Sequence, residues 1–221
     1  MEIKLASVDS VIVYFENVIS LDVSLKVKQY LEEIKKLEGI IDIVPSYTSI
    51  LITYDIFNYS YEQFVFILEN IKVNTLSSNE SKIVKIPVYY GEEVALDLRS
   101  ISEEKKLSIS DIIDIHSSTT YRVYAIGFAP GFAYMGEVDE RINMNRLENP
   151  RKAIPKNSLA IANEQTAIYP QSSPGGWNII GRTTLEMFDK SLDNLCPVNV
   201  GDEVRFFPVS KKEFLKEGGV L

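Results

Sequence analysis

Two glycine- and proline-rich segments carry the aromatic side chains best suited to binding a small ligand. They cover residues 127–134 and 172–177. Glycine lets a ligand approach the main chain, and successive amides in a tight turn attract anions. Each segment also contains a Pro-Gly pair, the order that a type II turn requires. The candidate contact residues are Phe128, Gly131, Phe132, Tyr134, Tyr169, Ser173, Gly175, Gly176 and Trp177. An aromatic barrel core is the alternative explanation for the rings.

Three arginines near these segments could supply positive charge. Arg146, Arg151 and Arg182 each offer a planar fork that matches carboxylate or phosphate oxygens. The alternative for each is an ordinary solvated surface pair. We rank Arg182 first because it follows Gly181 in a strand-like run, which would hold its stem rigidly. Arg151 and Arg182 are candidate catalytic residues.

His116 is the third candidate catalytic residue. As the one histidine of the chain, it is the side chain expected to titrate near neutrality. It ends a predicted helix, whose dipole favours its charged form, and general acid–base catalysis competes with a structural role. Gln165 could hydrogen-bond an amide or lactam. With one histidine and one cysteine, Cys196, the chain offers no cluster of soft metal ligands and no internal disulfide.

Composition excludes several classes of protein. The 221 residues are 45% hydrophobic and 24% charged, with a net charge of −8. No stretch reaches the ~18 uncharged apolar residues of a membrane span, and negative charge repels phosphate backbones. We therefore expect neither a membrane nor a nucleic acid as partner. Cysteine scarcity and the absence of a secretory signal predict a mature, cytoplasmic chain. Motifs of common nucleotide-binding, hydrolase and zinc sites are absent.

The elements that must position these residues fall into two predicted domains. In the first, residues 1–79, a strand at 11–15, a helix at 23–37, a hairpin over 40–54 and a helix opened by a Ser60–Gln63 capping box predict an α+β layer. The polar stretch 77–82 is the predicted boundary. In the second, residues 83–221, a strand at 83–90 and helices at 98–106 and 109–117 precede short β-prone runs. Dense Gly and Pro between these runs predict a barrel or sandwich.

Ordered motifs in the second domain closely resemble the 5-oxoprolinase B-subunit family, also called allophanate hydrolase subunit 1, which includes the KipI kinase inhibitor. The resemblance spans nearly the whole chain. It departs from the family at Asn145-Arg146, where Pro-Arg is usual, and at Asn163-Glu164, where two glycines are common. The principal motifs are Gly127-Phe128-Ala129-Pro130-Gly131-Phe132-Ala133-Tyr134, Pro150-Arg151, Gln165-Thr166, Ser173-Pro174-Gly175-Gly176-Trp177 and Ile180-Gly181-Arg182-Thr183.

The resemblance implies a ferredoxin-like α+β N-terminal domain followed by a mainly-β, cyclophilin-like barrel. It implies a polypeptide, inactive or nearly so alone, that works with a homologous C subunit, and with the A subunit, to open 5-oxo-L-proline to L-glutamate. ATP would be the co-substrate of the complex, with Mg²⁺ not ligated by this chain. Two alternatives stay open: inhibition of the autophosphorylation of a sensor histidine kinase, and a role in urea or allophanate metabolism.

Overall fold

The computed structural model of the chain describes residues 1–73, 83–192 and 195–221. Its contacts divide the chain into two units, Met1–Ser81 and Lys82–Leu221. The polar stretch 77–82, predicted as the boundary, lies outside the described residues. In the described part of the chain, no helix is both long and apolar enough to cross a membrane.

The first unit is a four-stranded antiparallel sheet with two helices. The sheet order is β1-β2-β4-β3. The predicted strand, helix, hairpin and helix are confirmed, whereas β1 was missed because its side chains are nearly all exposed. The ferredoxin-like assignment stays a prediction. The elements are β1 (Glu2–Ser7), β2 (Ser10–Tyr14), α1 (Leu21–Ile34), β3 (Ile40–Pro45), β4 (Ser49–Tyr54) and α2 (Tyr61–Glu69).

Spacing and capping explain the two helices of this unit. The buried residues of α1 include Val23, Val27, Leu31 and Ile34, which lie on one face of a helix. The Ser60–Gln63 capping box at the start of α2 forms as predicted. Phe64 of α2 stacks on Tyr54 of β4 at 4.2 Å between ring centroids. The first unit therefore has its own hydrophobic core.

The second unit is a nearly closed β-barrel with short helices. Its seven-stranded sheet has the order β12-β9-β10-β7-β6-β13-β5. Tyr89, just after β5, exchanges two main-chain hydrogen bonds with Arg182 of β12, at 2.8 and 2.9 Å, and so joins the two ends of the sheet. The barrel prediction is confirmed, and its cyclophilin-like assignment stays a prediction. The elements are β5 (Ile83–Val88), α3 (Leu98–Lys105), α4 (Ile109–Ser118), β6 (Thr120–Ile126), β7 (Ala133–Gly136), β8 (Arg151–Ile154), β9 (Ser158–Ala162), β10 (Gln165–Ile168), β11 (Ser173–Gly175), β12 (Asn178–Arg182), β13 (Glu203–Pro208) and α5 (Lys211–Lys216).

The barrel sheet buries apolar side chains on both of its faces. One cluster draws residues from all seven strands and from α3 and α4, so it fills the barrel interior. A second cluster lies on the opposite face of β7, β9, β10 and β12. Ile168 belongs to the first cluster and Ala167 to the second, as strand alternation requires. The two faces give the predicted site residues very different surroundings.

Candidate functional site

Phe132 lies at the centre of a group of five aromatic rings, the outer aromatic cluster. Its ring contacts those of Tyr134, Tyr169 and Trp177 edge-to-face, with centroids 4.8, 5.2 and 5.7 Å away. Phe128, the fifth member, contacts Phe132 at 5.3 Å. The structure thus brings together all five aromatic candidates. Phe132, Tyr169 and Trp177 are buried, whereas Phe128 is 68% exposed and Tyr134 is half-buried. Phe128 and Tyr134 therefore form the exposed edge of the cluster.

The first Pro-Gly pair forms the predicted type II turn. The amide of Phe132 donates to the carbonyl oxygen of Ala129 at 2.9 Å, which closes the turn around Pro130 and Gly131. Gly131 has a φ of +84°, as the third position of such a turn requires. A Cβ there would lie 2.2 Å from the carbonyl oxygen of Met187. This glycine therefore fixes the path that leads Phe132 into the cluster.

The second Pro-Gly pair does not form the turn that the sequence predicts. Ser173–Gly175 is the short strand β11, which pairs with β8 through Ser173–Ile154 and Gly175–Arg151. A Cβ on Gly175 would lie 2.3 Å from the Tyr169 hydroxyl oxygen, so this glycine makes room for that ring. The extended backbone explains the error, because the amides needed for a concave turn instead belong to a two-stranded ladder.

Arg146 lies over the outer aromatic cluster. Its guanidinium carbon is 5.8 Å from the centroid of the Trp177 ring, within the range of a cation–π contact. Burial raises the pKa of Tyr169 to about 12, and the positive charge of Arg146 acts in the opposite direction. Burial also raises the pKa of Tyr134, again opposed by Arg146. The charge of Arg146 therefore acts on both hydroxyl-bearing rings of the cluster.

Arg151 is held by a carboxylate that the sequence analysis did not single out. Its Nη2 donates to Oδ1 of Asp97 at 2.6 Å, and Oδ2 of Asp97 accepts the amide of Ile179, also at 2.6 Å. The Asp97 side chain is 8% exposed and that of Arg151 is 28% exposed. Asp97 therefore joins α3, β8 and β12. Its position just before a helix gave no signal for a partner 54 residues away.

The guanidinium group of Arg182 is bonded to the C-terminal segment of the chain. Its Nη1 donates to the carbonyl oxygen of Val220 at 2.8 Å, and burial lowers its pKa. The catalytic role for which Arg182 ranks first among the arginines stays a prediction. The strand context does hold the residue rigidly, but its guanidinium group fastens the C-terminal segment to the barrel.

His116 is sealed inside the barrel. Its Nδ1 lies 3.0 Å from the Tyr90 hydroxyl, and its Nε2 lies 3.1 Å from Oγ1 of Thr166, which donates to the carbonyl oxygen of Ala160. This network assigns the proton to Nε2 and makes Nδ1 an acceptor. Burial lowers the pKa of His116 to about 3. The expectation of a charged histidine is corrected here, because desolvation outweighs the helix dipole.

Gln165 lies at the border of the outer face. It is the first residue of β10 and pairs with Gly136 and with Ala162. Ala162 belongs to the second apolar cluster, which lies on the outer face of the barrel sheet together with the aromatic rings. Directly paired residues share one face of a sheet, so the Gln165 side chain lies on the same face as the aromatic rings. Among the described residues, no group of three or more His, Cys, Asp or Glu side chains could hold a metal ion.

Comparison with known proteins places this geometry in a family. Residues 1–198 match the family described as carboxyltransferase domain, subdomain C and D. The 5-oxoprolinase B subunit of Bacillus subtilis (strain 168) is 36% identical over 203 residues, which are 84% of this chain and 82% of the relative. This chain belongs to the 5-oxoprolinase B-subunit family.

More distant similarities extend the comparison. The crystal structure of TTHA0988 superposes with a TM-score of 0.81 at 28% identity and covers 91% of this chain. This chain spans only 40% of that longer protein. The urea amidolyase of Lachancea kluyveri is 24% identical over 233 residues, which are 90% of this chain but 13% of the relative. The carboxyltransferase-type barrel thus also occurs within larger proteins.

Two functional candidates became visible only in three dimensions. Asp97 is recognisable by its bond to Arg151, and Asn178 by the hydrogen bond of 2.8 Å that its side-chain amide donates to the carbonyl oxygen of Asn145. Sequence reasoning noted Arg146 but ranked it below Arg182. Nothing in the spacing of 31 positions between Arg146 and Trp177 predicts their contact.

Proposed function

We propose that this chain is the B subunit of an ATP-dependent 5-oxoprolinase. It acts with a homologous C subunit, and with the A subunit, to open the cyclic amide 5-oxo-L-proline to L-glutamate. The similarity to the Bacillus subtilis protein, at 36% identity over 82% of that protein, carries the proposal. That relative is named as one lettered subunit, which supports the need for others. Alone, the chain has little or no activity.

The chemistry requires activation of a stable lactam. ATP transfers a phosphoryl group to the lactam oxygen, and water then adds to the lactam carbon. The ring C–N bond then breaks as the nitrogen takes a proton, which leaves an acyl phosphate. A second water hydrolyses this acyl phosphate, so the products are glutamate, ADP and phosphate. Fixed donors and cations stabilise the negative charge that develops during such transfers. We assign ATP and its Mg²⁺ to the complex as a whole, with no ligand from this chain.

The outer aromatic cluster is the part of this chain that fits the substrate. Phe128 and Tyr134 form an edge that is open to solvent beside Arg146, and Gln165 lies on the same face of the sheet. Apolar rings with a few convergent polar groups are typical of small-molecule sites. Arg151 is the candidate for stabilising charge, since it is partly exposed and fixed by Asp97. His116 takes no part, because it is neutral and enclosed.

Reconstitution from separately purified polypeptides tests the proposal. We expect glutamate and ADP to form from 5-oxoproline and ATP when the A, B and C subunits are combined, and turnover to disappear when this chain is left out. An Arg151→Ala variant should assemble with its partners and turn over far more slowly. Equal activity with and without this chain would overturn the proposal.

The urea amidolyase similarity supports a second candidate, a role in a complex that acts on urea or allophanate. The same assembled complex distinguishes the two. ATP-dependent release of ammonia from urea or allophanate, with no glutamate formed from 5-oxoproline, would favour the second candidate. We expect the reverse, because identity to the 5-oxoprolinase relative is higher, at 36% against 24%.

A further inference from the structure

Arg146 presents an exposed guanidinium group at the outer aromatic cluster. Its side chain is exposed, and among the described residues its contact is the ring of Trp177, with no carboxylate in an ion pair. The chain carries a net charge of −8, so Arg146 supplies local positive charge on a protein that is acidic overall. An arginine left in this state can receive an anion that arrives from outside.

The main chain on either side of Arg146 is fastened to the residues on either side of Trp177. The Asn178 side chain donates to the carbonyl oxygen of Asn145 at 2.8 Å, and the Leu147 amide donates to the carbonyl oxygen of Gly176 at 2.7 Å. Asn178 is 2% exposed, so the donor side of this bond is shielded from water. The two bonds fix the main chain that carries Arg146 beside Trp177, so its guanidinium group can reach the ring.

Each of the other two candidate arginines already uses one guanidinium nitrogen, while Nη1 of Arg151 and Nε of Arg182 are buried with no hydrogen-bond partner among the described residues. Arg151 gives Nη2 to the Asp97 carboxylate, and Arg182 gives Nη1 to the carbonyl oxygen of Val220. A guanidinium group held by a carboxylate is partly neutralised, and one used by a main-chain carbonyl is occupied on that edge. The positive charge available at the aromatic cluster therefore belongs to Arg146 more than to Arg151 or Arg182.

We propose that Arg146 binds the carboxylate of the substrate while the exposed edge of the aromatic cluster contacts its ring. The site then selects a small cyclic amide that carries a negative charge over a neutral amide of the same size. This inference rests on the proposed function for the cyclic amide itself. The anion preference comes from the charge, exposure and fixed position of Arg146.

Trp177 provides a direct readout, because it is the one tryptophan of the chain and lies against Arg146. The full chain is titrated with 5-oxoproline and with 2-pyrrolidinone, the neutral lactam with the same ring, while tryptophan fluorescence is recorded. We expect 5-oxoproline to bind about tenfold or more tightly than the neutral lactam, the usual size of a charge-assisted hydrogen bond. Arg146→Ala should make the two affinities equal.

Two further variants control for unspecific effects. Arg141→Ala removes another exposed arginine, one that pairs with Asp139 and takes no part in the cluster, and should keep the full preference. Arg146→Lys keeps the charge without the planar fork and should keep part of it. The inference is overturned if the wild-type chain shows no preference for 5-oxoproline, or if Arg146→Ala retains the preference.

Failure of this inference and failure of the proposed function have different signatures. If the assembled complex leaves 5-oxoproline intact while the chain still prefers the charged lactam, the proposed function fails and the anion site stands. If the assembled complex forms glutamate at the same KM with wild-type and Arg146→Ala chains, the function stands and the assignment of Arg146 fails.

Discussion

The barrel interior and the outer aromatic cluster use the same strands but treat polar groups in opposite ways. In the interior, His116 satisfies both ring nitrogens with the hydroxyls of Tyr90 and Thr166 and is fully buried. On the outer face, Arg146 lies exposed over Trp177 without an ion pair among the described residues. Both are chemically capable side chains next to aromatic rings. Solvent access, and not residue type, separates a structural network from a candidate binding site.

The largest expected effect comes from the ring that organises the outer cluster. Phe132→Ala removes a buried ring that contacts four others, and should lower the free energy of unfolding by about 3–5 kcal/mol. Phe128→Ala, the matched control, removes a ring that is 68% exposed and should change stability little. Denaturant unfolding measures both. Similar losses in the two variants would contradict the division of the cluster into a buried base and an exposed edge.

The interior predicts a pH dependence of stability. Folded His116 has a pKa of about 3, below the value of about 6.5 in an unfolded chain, so the unfolded state takes up the proton first as the pH falls. Wild-type protein should therefore lose stability between about pH 6.5 and pH 3 through this residue. His116→Gln keeps a donor and an acceptor but cannot titrate, and costs about 2 kcal/mol at pH 7.

The comparison of these two proteins is made by unfolding at pH 7 and at pH 4.5. The stability gap between wild type and His116→Gln should narrow at the lower pH. A gap of constant size would show that His116 is not kept neutral by the fold. Turnover of the assembled complex should be unchanged at pH 7, in contrast to the effect of Arg151→Ala.

The smallest expected effect on stability comes from the anchor between the interior and the outer face. Asp97→Asn breaks the ion pair with the partly exposed Arg151 and should cost about 1–2 kcal/mol. Glu92→Gln, in the much more exposed pair with Arg99, should cause no measurable change. Thermal unfolding of the two variants in parallel checks this. Equal shifts in Tm would remove Asp97 as a special anchor.

Local sequence motifs predicted the helices, strands and turns, but they did not predict the contacts between residues that are distant in the sequence. The Ser60–Gln63 capping box acts within four residues and forms as predicted, and Ser108 and Asp111 form a second box of the same kind. The Ala129–Phe132 turn is equally local. By contrast, the Arg151–Asp97 bond joins residues 54 positions apart, and no periodicity reports such a pair. The same holds for Arg182, whose guanidinium group bonds the carbonyl oxygen of Val220, 38 positions away.

Desolvation is the second effect that sequence reasoning could not supply. His116 does lie in the last turn of α4, where the helix dipole favours its charged form. Burial of the side chain outweighs the dipole and keeps the imidazole neutral. Backbone conformation at Asn163 is a separate property that the sequence alone does not give. This asparagine stands where the family commonly has glycine and keeps a left-handed φ of +51°, a conformation that asparagine tolerates better than most residues. Glycine and asparagine can both adopt this conformation.

A crystal structure of the full complex, containing this chain, its partner polypeptides and 5-oxoproline, tests the central claim most directly. We predict that the lactam ring lies against the exposed edge formed by Phe128 and Tyr134, with its carboxylate within hydrogen-bonding distance of Arg146. The account would be contradicted by a lactam bound elsewhere in the complex, with a partner polypeptide lying over the outer aromatic cluster and pairing one of its own carboxylates with Arg146.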